Sequence, residues 1–355
     1  MTGAPGAAGS ARHRHALVLG KFYPLHVGHQ ALIRAAQGAA ERVTVEVVGS
    51  RTETIPVELR AAWVAEEHPA VRVVHTYDEH EIDYASEAAW RHHTALIAGL
   101  VRPQDGPVDV VVSSDGYGQE LARRLAADWL CVDPTRSAVP VSGTAVRADV
   151  AGHWWALPGP VREHLCRRVV VVGAESTGTT TLAADLAEQL GVPWVPEFGR
   201  EWTSLRDGGI HAPWHSAEFD LVAREQAHAE DRAARHTPRP VLVCDTDVLA
   251  TTIWHERYLG RPSPTVAALA AARRPHLYLL TGDEIPFVDD GLRDGAAFRP
   301  WMTARLREML DASGVPWAEV TGTRRQRLDA AAAQVAAVLA RGIPIGPSRE
   351  EQQRI

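Results

Sequence analysis

The sequence predicts an α/β protein of two consecutive domains, each an open parallel sheet with helices packed on it. Three observations carry this. Residues 169–182 read VVVVGAESTGTTTL: four valines make a buried strand, Gly173 and Gly178 bracket a tight loop, and Leu182, Leu186 and Leu190 recur at helical spacing. Nearer the start, ALVLG (residues 16–20) runs into the polar string KFYPLHVGH. A helix marked by Leu32, Ile33, Ala35 and Ala36 follows, then a second strand at 43–48. Finally, 355 residues, 45% hydrophobic and 23% charged, are enough for two cores of ordinary size.

Charge and composition narrow the function classes. With 37 basic and 44 acidic side chains the net charge is -7, which argues against a general nucleic-acid surface but leaves room for a local anion site. Cys131, Cys166 and Cys244 have no CxxC spacing, so they read as residues of a reduced compartment rather than a zinc site. No apolar run reaches the roughly 18 residues of a membrane helix, and the N-terminus lacks a hydrophobic signal core. A cytoplasmic protein is expected. Every basic residue except Lys21 is arginine. A lysine surviving such a bias suits a role arginine cannot fill, such as a compact point charge.

Taken in order, residues 1–15 are expected to be disordered and a first domain to span 16–160. Its polar motif sits at the C-terminal edge of the first strand, where open α/β sheets bind ligands. In HxGH, His26 and His29 flank a loop and helix start with a glycine that lets backbone approach a ligand. Two histidines beside a helix N-terminus suit an anion better than a metal, since no third ligand is close in sequence. Because the chain carries 17 histidines, the pair alone also reads as ordinary surface residues. A strand at 108–113 leads into DGYGQELA, in which Tyr117 reads either as the wall of a pocket for a flat heterocycle or as packing. At 141–147, VSGTAVR offers Ser142 and Thr144 as helix caps and Arg147 as a fork of donors for phosphate. Pro158, Gly159 and Pro160 end the domain, with Trp154 and Trp155 expected to pack near the junction.

The second domain is expected over 166–342. Its loop Gly173, Ala174, Glu175, Ser176, Thr177, Gly178, Thr179, Thr180, Thr181 follows GxxxxGK[ST], whose amides cradle phosphates while the lysine reaches the terminal ones. Here Thr179 stands at the lysine position and Thr180 at the Mg²⁺-hydroxyl position. Downstream, PWVPEFGREW offers Glu197 and Arg200 for a sugar or phosphate, or else a solvated helix start. PVLVC ends in Asp245, Thr246 and Asp247, an apolar strand closing on an acid that holds Mg²⁺. TGDEIPFVDDGLRDG supplies charged residues for a substrate or lid role, Asp289, Asp290 and Arg293, with Arg299 beyond. A strand at 315–320, a helix at 328–339 and a flexible tail at 343–355 complete the chain.

These strings together carry a resemblance. GKFYPLHVGH resembles the GxFxPxHxGH signature of nucleotidylyltransferases, and VSGTAVR resembles their ISxTxxR segment. With SSDGYGQELA, GAESTGTTTL, PEFGREW, CDTDVLATT and VDDGLRDG, nearly the whole chain resembles the bifunctional nicotinamide mononucleotide adenylyltransferase/ribosylnicotinamide kinases of the NadR type. The resemblance implies a Rossmann-like nucleotidylyltransferase domain followed by a P-loop kinase-like parallel-sheet domain. It implies adenylyl transfer from ATP to nicotinamide mononucleotide, giving NAD and pyrophosphate, in the first. ATP would be held by Gly20, Phe22, His26, His29, Ser142, Thr144 and Arg147, with Lys21, His26, His29 and Arg147 supplying charge and Tyr117 on the acceptor side. It implies ATP-dependent phosphorylation of nicotinamide riboside in the second, with Thr180 and Asp245 on Mg²⁺ and Glu197, Arg200, Asp247, Asp290 and Arg293 as substrate or lid residues.

Thr179 departs from the kinase pattern. Either an arginine such as Arg200 or Arg293 substitutes, Mg²⁺ suffices at reduced rate, or the domain binds nucleotide as a non-catalytic sensor. GxFxPxHxGH does not itself name the acceptor, so another phosphorylated small molecule, such as a pantetheine phosphate, also fits it. The helix-turn-helix repressor domain that some members carry does not fit in the 15 residues before the first strand, so no nucleic-acid partner is expected. Partners are expected to be small molecules, with homo-oligomerisation open.

Overall fold

The computed structural model describes residues 12–80, 83, 85–101, 103–288 and 296–353. Two compact units share the chain: Met1–Val161 with Pro344–Ile355, and Arg162–Ile343.

In the first unit, β1 (His13–Gly20) leads through the HxGH loop into α1 (Val27–Ala39) and β2 (Ala40–Gly49). Then come α2 (Val57–Glu67), β3 (Arg72–Tyr77), α3 (Glu87–Leu100), β4 (Val110–Ser113), α4 (Tyr117–Leu125), β5 (Asp128–Cys131), α5 (Gly143–Ala148) and α6 (Gly159–Leu165). The strands form one parallel sheet in the order β3-β2-β1-β4-β5. Central β1 pairs Val18 with Val45 on one side and Val112 on the other. Ala16, Leu17 and Val18 are fully buried, which is why this strand reads as an unbroken apolar run. Leu17, Val111, Trp90, Ile97 and Leu121 form the core beneath α3 and α4.

β1 starts at His13, three residues before the apolar run. The Asp109 carboxylate accepts the amides of Arg14 and His15 at 2.9 and 3.1 Å, and His15 Nε2 meets Thr44 Oγ1 at 2.8 Å. Polar partners therefore extend a strand that hydrophobicity does not mark, and residues 13–15 are ordered rather than frayed. Trp154 is buried while Trp155 is largely exposed.

The second unit runs β6 (Arg167–Val172), α7 (Thr179–Leu190), β7 (Trp194–Val195), α8 (Phe198–Leu205), α9 (Ser216–His236), β8 (Val241–Asp245), α10 (Val248–Leu259), α11 (Pro264–Ala272), β9 (Leu277–Thr281), α12 (Arg299–Ser313), β10 (Trp317–Val320) and α13 (Arg324–Ala340). Its sheet, again parallel, has the order β10-β9-β6-β8-β7. Val169 and Val171 pack with Leu182, Leu186 and Val335, so α7 and α13 share one face. The P-loop leaves the C-terminal edge of central β6. Among the described residues, no helix is long and apolar enough to cross a membrane.

The last residues depart from the expected loose tail. They return to the first unit and end in a short helix, α14 (Arg349–Gln352), capped reciprocally by Ser348 and Glu351. Tyr23 Oη donates to Gly346 O at 3.0 Å and the Gly346 amide donates to Thr54 Oγ1 at 3.0 Å.

Candidate functional site

The first unit gathers its motif residues at the C-terminal edge of β1. His26 caps α1, its Nδ1 accepting the Gly28 amide at 3.1 Å. A side chain at Gly28 would meet the His26 ring at 3.0 Å, so this glycine makes room for an imidazole as well as for a ligand. His29 stacks on His26 with ring centres 3.7 Å apart and leans on Phe22 at 4.9 Å. Its Nδ1 is buried without a hydrogen-bond partner among the described residues.

Residues 141–147 arrive from the far end of the unit's sequence. Ser142 caps α5 by accepting the Ala145 amide at 3.1 Å, and Arg147 donates to Tyr23 O at 2.6 Å and to Thr144 Oγ1 at 3.1 Å. His26, Gly28, His29, Ser142 and Gly143 consequently line one cleft with Arg136. An adjoining larger cleft is lined by Gly20, Lys21, His29, Asp78, His93, Tyr117 and, again, Arg136.

The electrostatics correct one expectation. Burial, with Arg136, Arg147 and His153 nearby, lowers His26 to about 4, and burial with His26 and the same two arginines holds His29 well below its ordinary value. Both imidazoles are neutral at pH 7 here, so they act as hydrogen-bonding groups while Lys21, Arg136 and Arg147 carry the positive charge. Lys21 lies 3.4 Å from Glu53, which is itself paired with fully buried Arg60 at 2.9 Å. Tyr117 lines the larger cleft and also packs, stacking on Trp90 at 4.8 Å. Sequence reasoning missed Arg136, which sits in a loop with φ of 51° and matches no motif.

In the second unit, Gly178 caps α7 with φ of 86°. A side chain at Gly173 would meet Thr281 Oγ1 at 2.1 Å and Thr177 Oγ1 at 2.4 Å, so only glycine fits there. Thr177 is turned inward, donating to Ala174 O at 2.7 Å, and Thr181 is exposed and away from the cleft. These two hold or extend the loop rather than face a ligand. Gly173, Glu175, Ser176, Thr179 and Thr180 line the cleft with Glu197 and Arg200. Thr180 Oγ1 donates to Asp245 Oδ2 at 2.6 Å. This hydroxyl and carboxylate at the end of β8 are the hard oxygen donors that suit Mg²⁺.

Asp247 does not serve a substrate or lid role. It is buried, caps α10 through the Leu249 and Ala250 amides at 2.9 and 3.2 Å, and accepts the Tyr278 hydroxyl of β9 at 2.7 Å. Arg299 is spent on the carbonyls of Asp283 and Ile285 at 3.0 and 2.8 Å. Asp289, Asp290 and Arg293 lie outside the described residues. Two features were missed. Trp214, Phe219, Trp254 and Tyr258 form an aromatic wall of the cleft, with Trp214 5.1 Å from both Phe219 and Tyr258. Trp214 precedes α9, while Phe219 in α9 and Trp254 and Tyr258, four apart in α10, have the spacing of any buried helix face, so pattern alone cannot separate wall from core. Arg327 of α13 braces the P-loop, donating to Thr177 O at 2.6 Å and to Gly282 O at 3.1 Å.

These features define the class: a two-domain α/β protein whose second domain is an AAA-like P-loop domain. Residues 168–327 match the AAA domain family. Over most of its length the chain is similar to the proteins called NadR. It is 26% identical over 322 residues to the trifunctional NAD biosynthesis/regulator protein NadR of Escherichia coli (strain K12), covering 86% of this chain and 78% of that one. It is 25% identical over 313 residues to the protein of the same name from Salmonella typhimurium, covering 82% and 76%. Among solved structures, a NadR protein in complex with NR superposes with a TM-score of 0.72 at 20% identity, covering 91% of this chain and 96% of that one. A NadR protein in complex with NAD and AMP-PNP gives 0.71 at 20% identity, covering 92% and 96%. At that identity the superpositions establish the fold.

Proposed function

We propose that the chain is an enzyme of NAD biosynthesis: its first unit joins ATP to nicotinamide mononucleotide, and its second phosphorylates nicotinamide riboside with ATP. The observation that carries the first half is convergence. Lys21, the His26–His29 pair and, over a hundred residues on, Val141, Ser142 and Gly143 line adjoining clefts at one sheet edge, with Arg147 reaching back to Tyr23 O beside them. The similarity to NadR proteins supports the same reading.

In the transfer, an oxygen of the mononucleotide phosphate attacks the α-phosphorus of ATP. The bond to the β-phosphate oxygen breaks, and pyrophosphate leaves with the electron pair. Phosphate attack needs no general base, so the protein's work is alignment and charge on the leaving group. Lys21, Arg136 and Arg147 supply that charge, and the neutral imidazoles donate hydrogen bonds to phosphoryl oxygens.

In the second unit, the riboside hydroxyl attacks the γ-phosphorus, ADP leaves, and the hydroxyl proton passes to a carboxylate at the cleft. Asp245 and Thr180 would hold Mg²⁺, which neutralises phosphate charge when bound. Arg200 lines the cleft beside Thr179 and supplies the cation that the P-loop lacks at that position. Stacking on the wall of Trp214, Trp254 and Tyr258 suits a flat pyridinium ring.

The test is ADP release from ATP with and without nicotinamide riboside, on wild type and Thr179→Lys. Riboside-dependent ADP from wild type is expected. Activity that appears only in the lysine variant would mean a silenced kinase that serves as a nucleotide sensor.

A further inference from the structure

We propose that the C-terminal segment 344–353 is a built-in competitor for the phosphate site of the first unit, an acidic strap that a polyphosphate anion must displace. The proposal rests on the reading of that unit as an ATP-using transferase and adds a control to it.

The strap is seated on the charges that the transfer needs. Glu351 Oε1 accepts from Arg147 at 2.5 Å and from Thr144 Oγ1 at 2.9 Å, while Glu350 lies 3.7 Å from Lys21. Arg147 has Nη1 on Tyr23 O and Nη2 on Thr144 and Glu351, so both terminal nitrogens of its fork are engaged. Two carboxylates thus take the place of phosphate oxygens at the ends of the two motifs, GKFYPLHVGH and VSGTAVR. Burial works against the Glu351 charge, yet Arg147, the Ser348 amide and Thr144 together hold the carboxyl at about 2. It remains an anion across the physiological range.

The rest of the segment acts as a latch. Arg349 donates to Asp78 O at 2.8 Å and pairs with Glu79 at 3.0 Å, and Thr52 Oγ1 donates to Gln352 Oε1 at 3.1 Å. Arg349 and Glu350 both line the larger cleft. Nothing apolar and large from the segment is buried there: the latch is polar, short and partly exposed, which is the profile of a locally opening element. A triphosphate brings more negative charge to Lys21 and Arg147 than two carboxylates do, and it has no use for a neutralised site. The apparent affinity for such an anion is therefore its intrinsic affinity reduced by the fraction of molecules with the strap open.

The test uses the full chain, inorganic tripolyphosphate as the probe, and the near-isosteric double variant Glu350→Gln/Glu351→Gln. Hydrogen–deuterium exchange reads residues 344–353 and 142–148 separately, which keeps anion binding by the P-loop unit out of the measurement. In wild type, protection of 344–353 is expected to fall as that of 142–148 rises. In the variant, the midpoint concentration is expected to drop about tenfold or more. Protection of 344–353 that persists while 142–148 is saturated, at the same midpoint in both proteins, overturns the strap and leaves the transferase reading standing. If 142–148 responds in neither protein, the polyphosphate site itself fails and the competitor with it.

Discussion

Glu46 offers a test of how the first unit manages charge beneath its clefts. It lies on β2, paired in register with Leu19 and Val74, with both carboxyl oxygens buried and without hydrogen-bond partners among the described residues. Burial raises its carboxyl from 4.5 to about 8, and the neighbouring Asp78 charge adds to the shift. The folded protein therefore keeps Glu46 protonated at pH 7, close to the Asp78 that lines the larger cleft. Because the folded value lies above the unfolded one, the associated stability is fully present below pH 4.5 and is lost as pH rises through 8. Between pH 5 and pH 8 the unfolded chain ionises almost completely and the folded one only half, so wild type loses about 3 kcal/mol from this group alone.

Glu46→Gln removes that dependence. Its amide is near-isosteric with the protonated acid and likewise uncharged, with one more N–H donor left unpaired, so the two proteins should match within about 1 kcal/mol at pH 5. At pH 8 the variant should be the more stable by roughly 2 to 4 kcal/mol. Urea unfolding of the full chain at pH 5, 6.5 and 8, followed by pulsed hydrogen exchange in β2, measures the first unit directly. Parallel pH slopes for the two proteins would refute the reasoning.

Two further outcomes follow from the sites. His29→Ala should slow pyrophosphate release from ATP and nicotinamide mononucleotide by about a hundredfold or more, the scale of a lost electrostatic or hydrogen-bonding stabiliser; near-normal turnover would remove His29 from the machinery. Asp245→Asn keeps a hydrogen-bonding partner for Thr180 but loses the charge, so riboside-dependent ADP release should fall by about a hundredfold while ATP still binds, as read by calorimetry; unchanged release would take the metal role away from Asp245.

What the sequence shows and hides follows from the physics of each element. β6 and the P-loop are legible because a central parallel strand is apolar on both faces, Gly178 marks left-handed backbone and Gly173 a point with no room for a side chain. The HxGH and VSGTAVR segments are legible as chemistry, but their residues alone do not show that they meet; only the family resemblance implies it, since it depends on β1 and α5 being brought to one edge. Asp247 misleads because an acid after a strand reads the same whether it faces a ligand or caps the next helix; the buried Tyr278 hydroxyl decides it. The aromatic wall hides among ordinary helix-face residues. The neutral state of His26 and His29 is invisible in sequence because burial and Arg136 produce it. Even the Ser348–Glu351 capping box is written in the sequence, but a helix of four residues has no apolar period to betray it.

The return of residues 344–353 to the first unit has a consequence for how the protein is made and handled. The first unit is discontinuous, so on a ribosome that emits the chain from the N-terminus its last piece arrives only after the whole second unit has emerged. Until then Arg147 lacks Glu351 and Lys21 has Glu53 but not Glu350. An isolated 1–161 fragment would preserve that early state, and a purification tag fused at the C-terminus would sit within a few residues of Arg147. Cutting between Val161 and Arg162 therefore does not yield the first unit as it stands in the full chain.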